Sequence, residues 1–349
     1  MRYIIIGAGA VGGAIGGRLA GAGHEVVLVA RGTHLAALRE GGLRLKVPDG
    51  EYTHRLPAVE GPEELGELRG DDVLVLAVKT QDTVAALQAW GPAPVTGGGT
   101  AAERLPLFCA QNGVEGQRLA LRVFRQVYGV CVWLPATFVE PGAVSAAGSP
   151  LTGMLHLGRH PHGTDETARR VAADLEKAHF EAPVVADVAR WQYAKLLSNL
   201  GNALEAVAGP IAGDKAGQLY GRVRAEGESV LDAAGITYAS VAEQQALRGH
   251  KVDLVPLDGA PRGGGSSWQS LSRGTGTIEA DYLNGEIALL GRLHGVPTPL
   301  NDLLQHLANT FARERREPGS MEIDELVRRA DEAVEAVEAG EAVAFVQES

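Results

Sequence analysis

The chain has 349 residues, 45% apolar and 21% charged, with a net charge of −11. That length suits about two domains, and the composition suits a protein with a real buried core. The acidic balance excludes a general nucleic-acid binder, which works through basic faces, but leaves room for a local basic pocket.

The amino terminus opens on "RYIIIGAG", a short β-branched run that reads as a buried strand. "AVGGAIGGRLAGAG" follows as a helix closed by Gly23, although Gly9 to Gly13 and Gly13 to Gly17 also have the spacing of packed membrane helices. The uncharged stretch ends at Arg18, short of the roughly 20 residues a spanning helix needs. A second strand, "HEVVLVAR", comes at once, so neither an export signal nor a membrane anchor is expected. Then come a short helix, "GTHLAALREGG", a third strand, "DDVLVLAVKT", and another helix, "QDTVAALQAW". Strand and helix alternate, which predicts a parallel sheet with crossover helices. "LPLFCAQNG" and "QVYGVCVWLPATFVEPGAV" extend the β structure, with a turn at Pro141-Gly142.

Near Asp187 the pattern changes to helical periodicity. The expected organisation is α/β: a Rossmann-type parallel-sheet domain over 1–187, then an all-helical domain over 188–317. An acidic, alanine-rich extension, a helix plus a loose end, fills 318–349, and "DGAPRGGG" at 258–265 is a loop of the second domain. Cys109 and Cys131 sit in apolar surroundings and read as buried, reduced thiols of a cytoplasmic protein. No zinc-like Cys/His spacing is present.

Gly7, Gly9 and Gly12 spell G-x-G-x-x-G between the first strand and helix. The first glycine permits the tight turn, the second admits a pyrophosphate, and the third lets helix and strand pack closely. Backbone N–H groups at Ala10, Val11 and Gly12 would then face the phosphates. A dinucleotide cradle is therefore expected. An NAD site would place Asp or Glu at the end of the second strand, and here Arg31 follows it. A guanidinium there matches the 2′-phosphate of NADP, or serves solubility alone. Lys79, at the edge of the third strand, either adds a second charge near that phosphate or is a solvated terminal lysine.

Lys195, Asn199 and Asn202 fall at i, i+4 and i+7, on one face of a helix rich in leucine. They read either as a solvent-facing stripe or as a site. In the second case the ammonium would stabilise the alkoxide formed when hydride reaches a ketone, and would give it a proton. Ser266 and Ser267 read as helix caps, and Glu279 and Asp281 as helix-start acids.

Together these segments resemble the ketopantoate reductase (2-dehydropantoate 2-reductase) family, over roughly Met1 to Phe311. "GAGAVGG" with Arg31 resembles its NADPH loop, and "VKTQDT" the lysine segment after its third strand. "QNGVEG" resembles its asparagine–glycine loop, "AKLLSN" its catalytic-lysine helix, and "SSWQSLSRGTGTIEADYLNG" its late serine-to-glutamate segment. The resemblance implies a Rossmann domain joined to a helical one, with the active site in the cleft, and an NADPH-dependent reduction of a 2-oxo acid in pantothenate biosynthesis. By position it makes Lys195 the general acid and puts Asn112 beside the nicotinamide. Asn199 and Ser267 hold the substrate, and Glu279 binds a substrate hydroxyl and influences the lysine. The chain departs from the family at Ala203, where a second asparagine is usual, with Asn202 one residue early. Leu271 stands where an acid often follows the serines, and "VCVWLPATF" is bulkier than expected. These changes bear on which oxo acid is taken. A reductase of another small oxo acid (β-hydroxyacid dehydrogenase-like) and a non-catalytic NADPH-binding module are the alternatives. A homodimer is compatible with each reading.

Overall fold

The computed structural model describes residues 1–257 and 263–340. The described residues form two compact units. One contains Met1–Gln192 and 239–257, and the other contains Tyr193–Tyr238 and 263–340.

In the first unit, β1 (Arg2–Ile6) leads through the glycine loop into α1 (Ala10–Gly21). There follow β2 (Glu25–Val29), α2 (Gly32–Gly41), β3 (Leu43–Val47), β4 (Gly50–His54), β5 (Ala58–Val59) and β6 (Asp72–Leu76). Next come α3 (Thr83–Trp90), α4 (Ala101–Arg104), β7 (Pro106–Cys109), α5 (Glu115–Leu121) and β8 (Gln126–Trp133). After these lie β9 (Ala136–Glu140), β10 (Ala143–Ala146), β11 (Gly148–Pro150), β12 (Gly153–Arg159), α6 (Glu166–Lys177) and β13 (Phe180–Glu181). The main sheet has the order β13-β12-β8-β7-β6-β1-β2-β5, parallel except where β12 meets β8. β1 lies between β2 and β6, so the chain reverses its lateral direction beside the glycine loop, the usual ligand position in such sheets.

Both faces of this sheet are covered, which explains the unbroken apolar strands. Tyr3 and Ile5 enter one core with Leu28 and Val75, while Ile4 and Ile6 enter the other with Leu74 and Leu107. A second sheet, β4-β3-β10-β9, packs on α1 from the opposite side. This accounts for the glycines of α1. A Cβ on Gly16 would press on Leu28 and Ile5 of the main sheet, and one on Gly13 or Gly17 would press on Val144 or Leu45 of the smaller one. The membrane-like glycine spacing thus belongs to a helix pinched between two sheets. Arg18, buried on the same helix, donates to Thr152 at 2.7 Å and to Asp49 at 2.9 Å. Among the described residues no helix is long and apolar enough to cross a membrane.

The chain leaves the first unit within α7 (Val188–Asn199), between Gln192 and Tyr193. The second unit continues with α8 (Gly201–Ala208) and α9 (Gly213–Ala233). One excursion differs from the division expected from the sequence: 239–257 belongs to the first unit. Its α10 (Val241–Arg248) is fastened by Arg190 to Glu243 at 2.8 Å, and β14 (Val252–Leu254) pairs antiparallel with β11. A three-residue strand has too little alternation to be read beforehand. Residues 258–262 of the expected glycine-rich loop, and 341–349 of the acidic extension, lie outside the described residues.

The rest of the second unit is helical: α11 (Ser266–Ser272), a 3-10 turn over Glu279–Tyr282, α12 (Asn284–His294), α13 (Pro299–Glu314) and α14 (Ile323–Glu338). A buried polar chain ties these helices. Asn284 donates to the Leu200 carbonyl and to Asn301, and Asn301 donates to the Val223 carbonyl and to Glu226. Glu226 also accepts the Leu300 and Asn301 N–H groups at the start of α13. Burial pushes the Glu226 carboxyl above its ordinary pKa, opposed by these hydrogen bonds.

Candidate active site

In the first unit the three glycines each meet a different requirement. Gly7 has φ +101°, and a Cβ there would sit 2.7 Å from the Val78 nitrogen. A Cβ on Gly12 would overlap the Gly7 carbonyl oxygen and lie 2.8 Å from Ile5. Gly9 is the opposite case. It is extended, and a Cβ there would meet nothing within 4 Å. Gly9 is the N-cap of α1, and no side chain caps that end. The loop therefore offers a bare helix N-terminus, with Ala10 and Val11 in its first turn, facing space that a Cβ would occupy. That fits a pyrophosphate.

The loop is braced from outside the motif. His34 Nε2 lies 2.7 Å from the Ala8 carbonyl, and the Gly142 N–H donates to His34 Nδ1 at 2.9 Å. This is a neutral imidazole, donating on one side and accepting on the other. Burial lowers its pKa, opposed by the bond to Ala8. Nothing in the spacing of the sequence marks His34.

Arg31 caps the start of α2, and its Nη2 lies 3.4 Å from Asp82 Oδ1. Lys79 precedes the 3-10 turn Thr80–Asp82 that follows β6. Asn112 lies in the loop after β7, where its carbonyl accepts from Thr80 at 3.4 Å. Its neighbour Gln111, also missed by motif reading, is buried and donates to the Val78 carbonyl at 2.9 Å and to Thr83 at 2.8 Å. Gln111 thereby joins the loops after β6 and β7 and fixes where Asn112 stands.

In the second unit, Lys195 Nζ donates to Asn199 Oδ1 at 3.0 Å, one helical turn away. Leu196, Leu197, Leu200 and Leu204 are fully buried around them, and Asn199 is itself buried. Gly227 on α9 makes room for this packing, since a Cβ there would lie 2.8 Å from both Leu197 and Leu200. The three polar residues do not share one unbroken helix. The chain turns at Leu200, and Asn202, on α8, donates to Ser266 at 3.3 Å. Leu200 keeps a right-handed helical backbone there, and its carbonyl accepts from the amide of Asn284 at 3.1 Å. Asn202 is thus a tie between α8 and α11. Beside it Glu205 accepts the Gly265 N–H at 2.8 Å, capping α11.

Ser267 and Glu279 are both buried, in the first turn of α11 and in the 3-10 turn. The charge of Glu279 acts on the guanidinium of Arg273. Asp281 is a structural acid, accepting from Gln305 at 2.7 Å and Asn309 at 2.6 Å. Leu271 and Ala203, the departures noted above, are buried.

The two halves of one family description, ketopantoate reductase PanE/ApbA and its C-terminal region, match residues 3–162 and 187–312. The chain belongs to the ketopantoate reductase family. A 2-dehydropantoate 2-reductase of Halobacterium salinarum is 29% identical over 324 residues, 90% of this chain and all of that one. Another, from Mesorhizobium japonicum, is also 29% identical, over 90% of this chain and 99% of its own length. Among solved structures, a PanE/ApbA family ketopantoate reductase from Ralstonia eutropha superposes with a TM-score of 0.73 at 28% identity, covering 91% of this chain and 100% of that one. These ketopantoate reductase matches run through both units, so the glycine loop and the Lys195 helix are found in one family context.

Proposed function

We propose that the protein reduces ketopantoate, or a closely similar 2-oxo acid, to the 2-hydroxy acid with NADPH. The observation that carries this reading is the glycine loop: Gly7 and Gly12 are required by packing, while Gly9 and the uncapped start of α1 leave room for a phosphate. Family membership supports the substrate class.

When bound, the dinucleotide supplies the hydride. Gly9 and the first turn of α1 would hold its pyrophosphate, Arg31 and Lys79 its adenosine phosphate, and Asn112 its nicotinamide end. Lys195 holds the proton, which its Nζ delivers to the carbonyl oxygen of the substrate as that oxygen becomes an alkoxide. Asn199 accepts one N–H of that amine and so aims it, because a lysine on a flexible stem otherwise samples many rotamers. Ser267 and Asn199 bind the substrate, and Glu279 takes its hydroxyl. The buried leucines exclude water and strengthen the lysine's field at the oxygen.

The test is NADPH oxidation by purified protein with ketopantoate and a panel of 2-oxo acids. Turnover of ketopantoate above the rest supports the reading. NADPH binding with no oxidation by any substrate refutes it in favour of a binding module.

A further inference from the structure

Arg31 and Asp82 stand at the ends of two strands that flank β1. Arg31 follows β2, and Asp82 ends the turn after β6. Their side chains meet at 3.4 Å, 70% and 42% exposed. At that separation and exposure the pair contributes little to stability. Its consequence lies in what else can occupy the fork of Arg31.

We propose that Asp82 is a specificity-determining residue for the dinucleotide, limiting the preference for NADPH over NADH that Arg31 would otherwise confer. This rests on the reading of the glycine loop as a dinucleotide cradle. A 2′-phosphate is the natural ligand for a guanidinium at this strand end. The Asp82 carboxylate already lies 3.4 Å from one arm of that guanidinium, and a phosphate carrying up to two negative charges must bind with this negative charge beside it. A ribose 2′-hydroxyl meets the opposite environment, because a carboxylate accepts its hydrogen bond. Arg31 and Asp82 therefore pull the choice of cofactor in opposite directions, and Asp82 narrows the margin that Arg31 and Lys79 give NADPH over NADH.

The experiment is fluorescence titration of NADPH and of NADH into the wild type, Asp82→Asn and Arg31→Gln, with melting curves as a folding control. Asp82→Asn removes one charge at nearly constant shape, and the ratio of the two dissociation constants should move about tenfold toward NADPH. That gain should shrink as salt is raised, since both groups are exposed. Arg31→Gln should weaken NADPH and leave NADH nearly unchanged. An Asp82→Asn ratio within twofold of wild type, or one shifted toward NADH, overturns the inference while the cradle stands. Wild-type protein that binds neither dinucleotide overturns the cradle, and the inference with it.

Discussion

The glycine loop makes opposite demands at two positions only three residues apart in sequence, and a pair of alanine substitutions separates them. Gly9→Ala adds a methyl group to space that no protein atom reaches within 4 Å, on a backbone that alanine adopts freely. Folding should be unchanged or gain up to about 1 kcal/mol from the stiffer unfolded chain. The same methyl stands where a pyrophosphate would approach. Losing one or two charged-group hydrogen bonds there, at about 1.5–3 kcal/mol each, weakens NADPH by at least tenfold. Gly12→Ala is the reverse. Its methyl would overlap the Gly7 carbonyl oxygen and press on Ile5 and Ala77, and neither β1 nor α1 can move away, because α1 is held on its other side by Val144 and Leu45. Overpacking of this kind costs about 1–3 kcal/mol, more where backbone must shift. For a unit of this size that lowers the melting temperature by roughly 2–4 °C per kcal/mol. Thermal melts and NADPH titration of both variants read the two effects separately. Gly9→Ala protein that melts normally and binds NADPH within twofold of wild type would falsify the cradle.

Other expectations are as direct. Lys195→Ala should lower turnover by about 10²–10⁴, the range for a general acid, with NADPH affinity within twofold of wild type; unchanged turnover removes the assigned role. Asn284→Ala strands the Leu200 carbonyl and the Asn301 side chain, so denaturant unfolding should show a loss of about 2–4 kcal/mol, and a loss below 0.5 would deny the polar chain its structural role, given roughly 1–3 kcal/mol per unsatisfied buried group. His156 is buried and stacked on Trp191 at 4.4 Å, and burial lowers its pKa from 6.5 to about 4, with the Cys131 backbone opposing. The unfolded chain therefore binds the extra proton first. The stability held above pH 6.5 drains away as pH falls toward 4, by about 3 kcal/mol in all. In His156→Phe, which keeps a ring against Trp191 and carries no proton, that part of the acid loss should disappear from melting curves taken across the same window.

The main sheet was legible because its strands are buried on both faces, so their apolar runs stand out against glycine-marked turns. The smaller sheet was only partly so. In "GLRLKVPDGEYTHR" the run LRLKV of β3 does alternate, burying Leu43, Leu45 and Val47, and went unread; β4 is mostly exposed and carries no such signal, and β10 pairs with β3 from almost a hundred residues away. Lys195 and Asn199 were readable from helical spacing, because they share one turn of α7. Asn202 follows at i+7 on the next helix, beyond Leu200, and its hydrogen bond to Ser266, far along the chain, carries no sign in the spacing. Gln111 and His34 escaped for a similar reason. Each works through backbone groups of distant loops, and one sequence carries no sign of such partners. Glu279 and Asn112 took on roles only through family resemblance; alone they read as a helix-start acid and a turn.

The most direct measurement follows the hydride. Purified protein is incubated with ketopantoate and NADPH carrying deuterium at the transferable position, and the product is analysed by mass spectrometry and NMR. One deuterium is expected on the new carbinol carbon, at a rate that collapses in Lys195→Ala. Product without the label, or labelled product formed equally fast without the lysine, would contradict the mechanism.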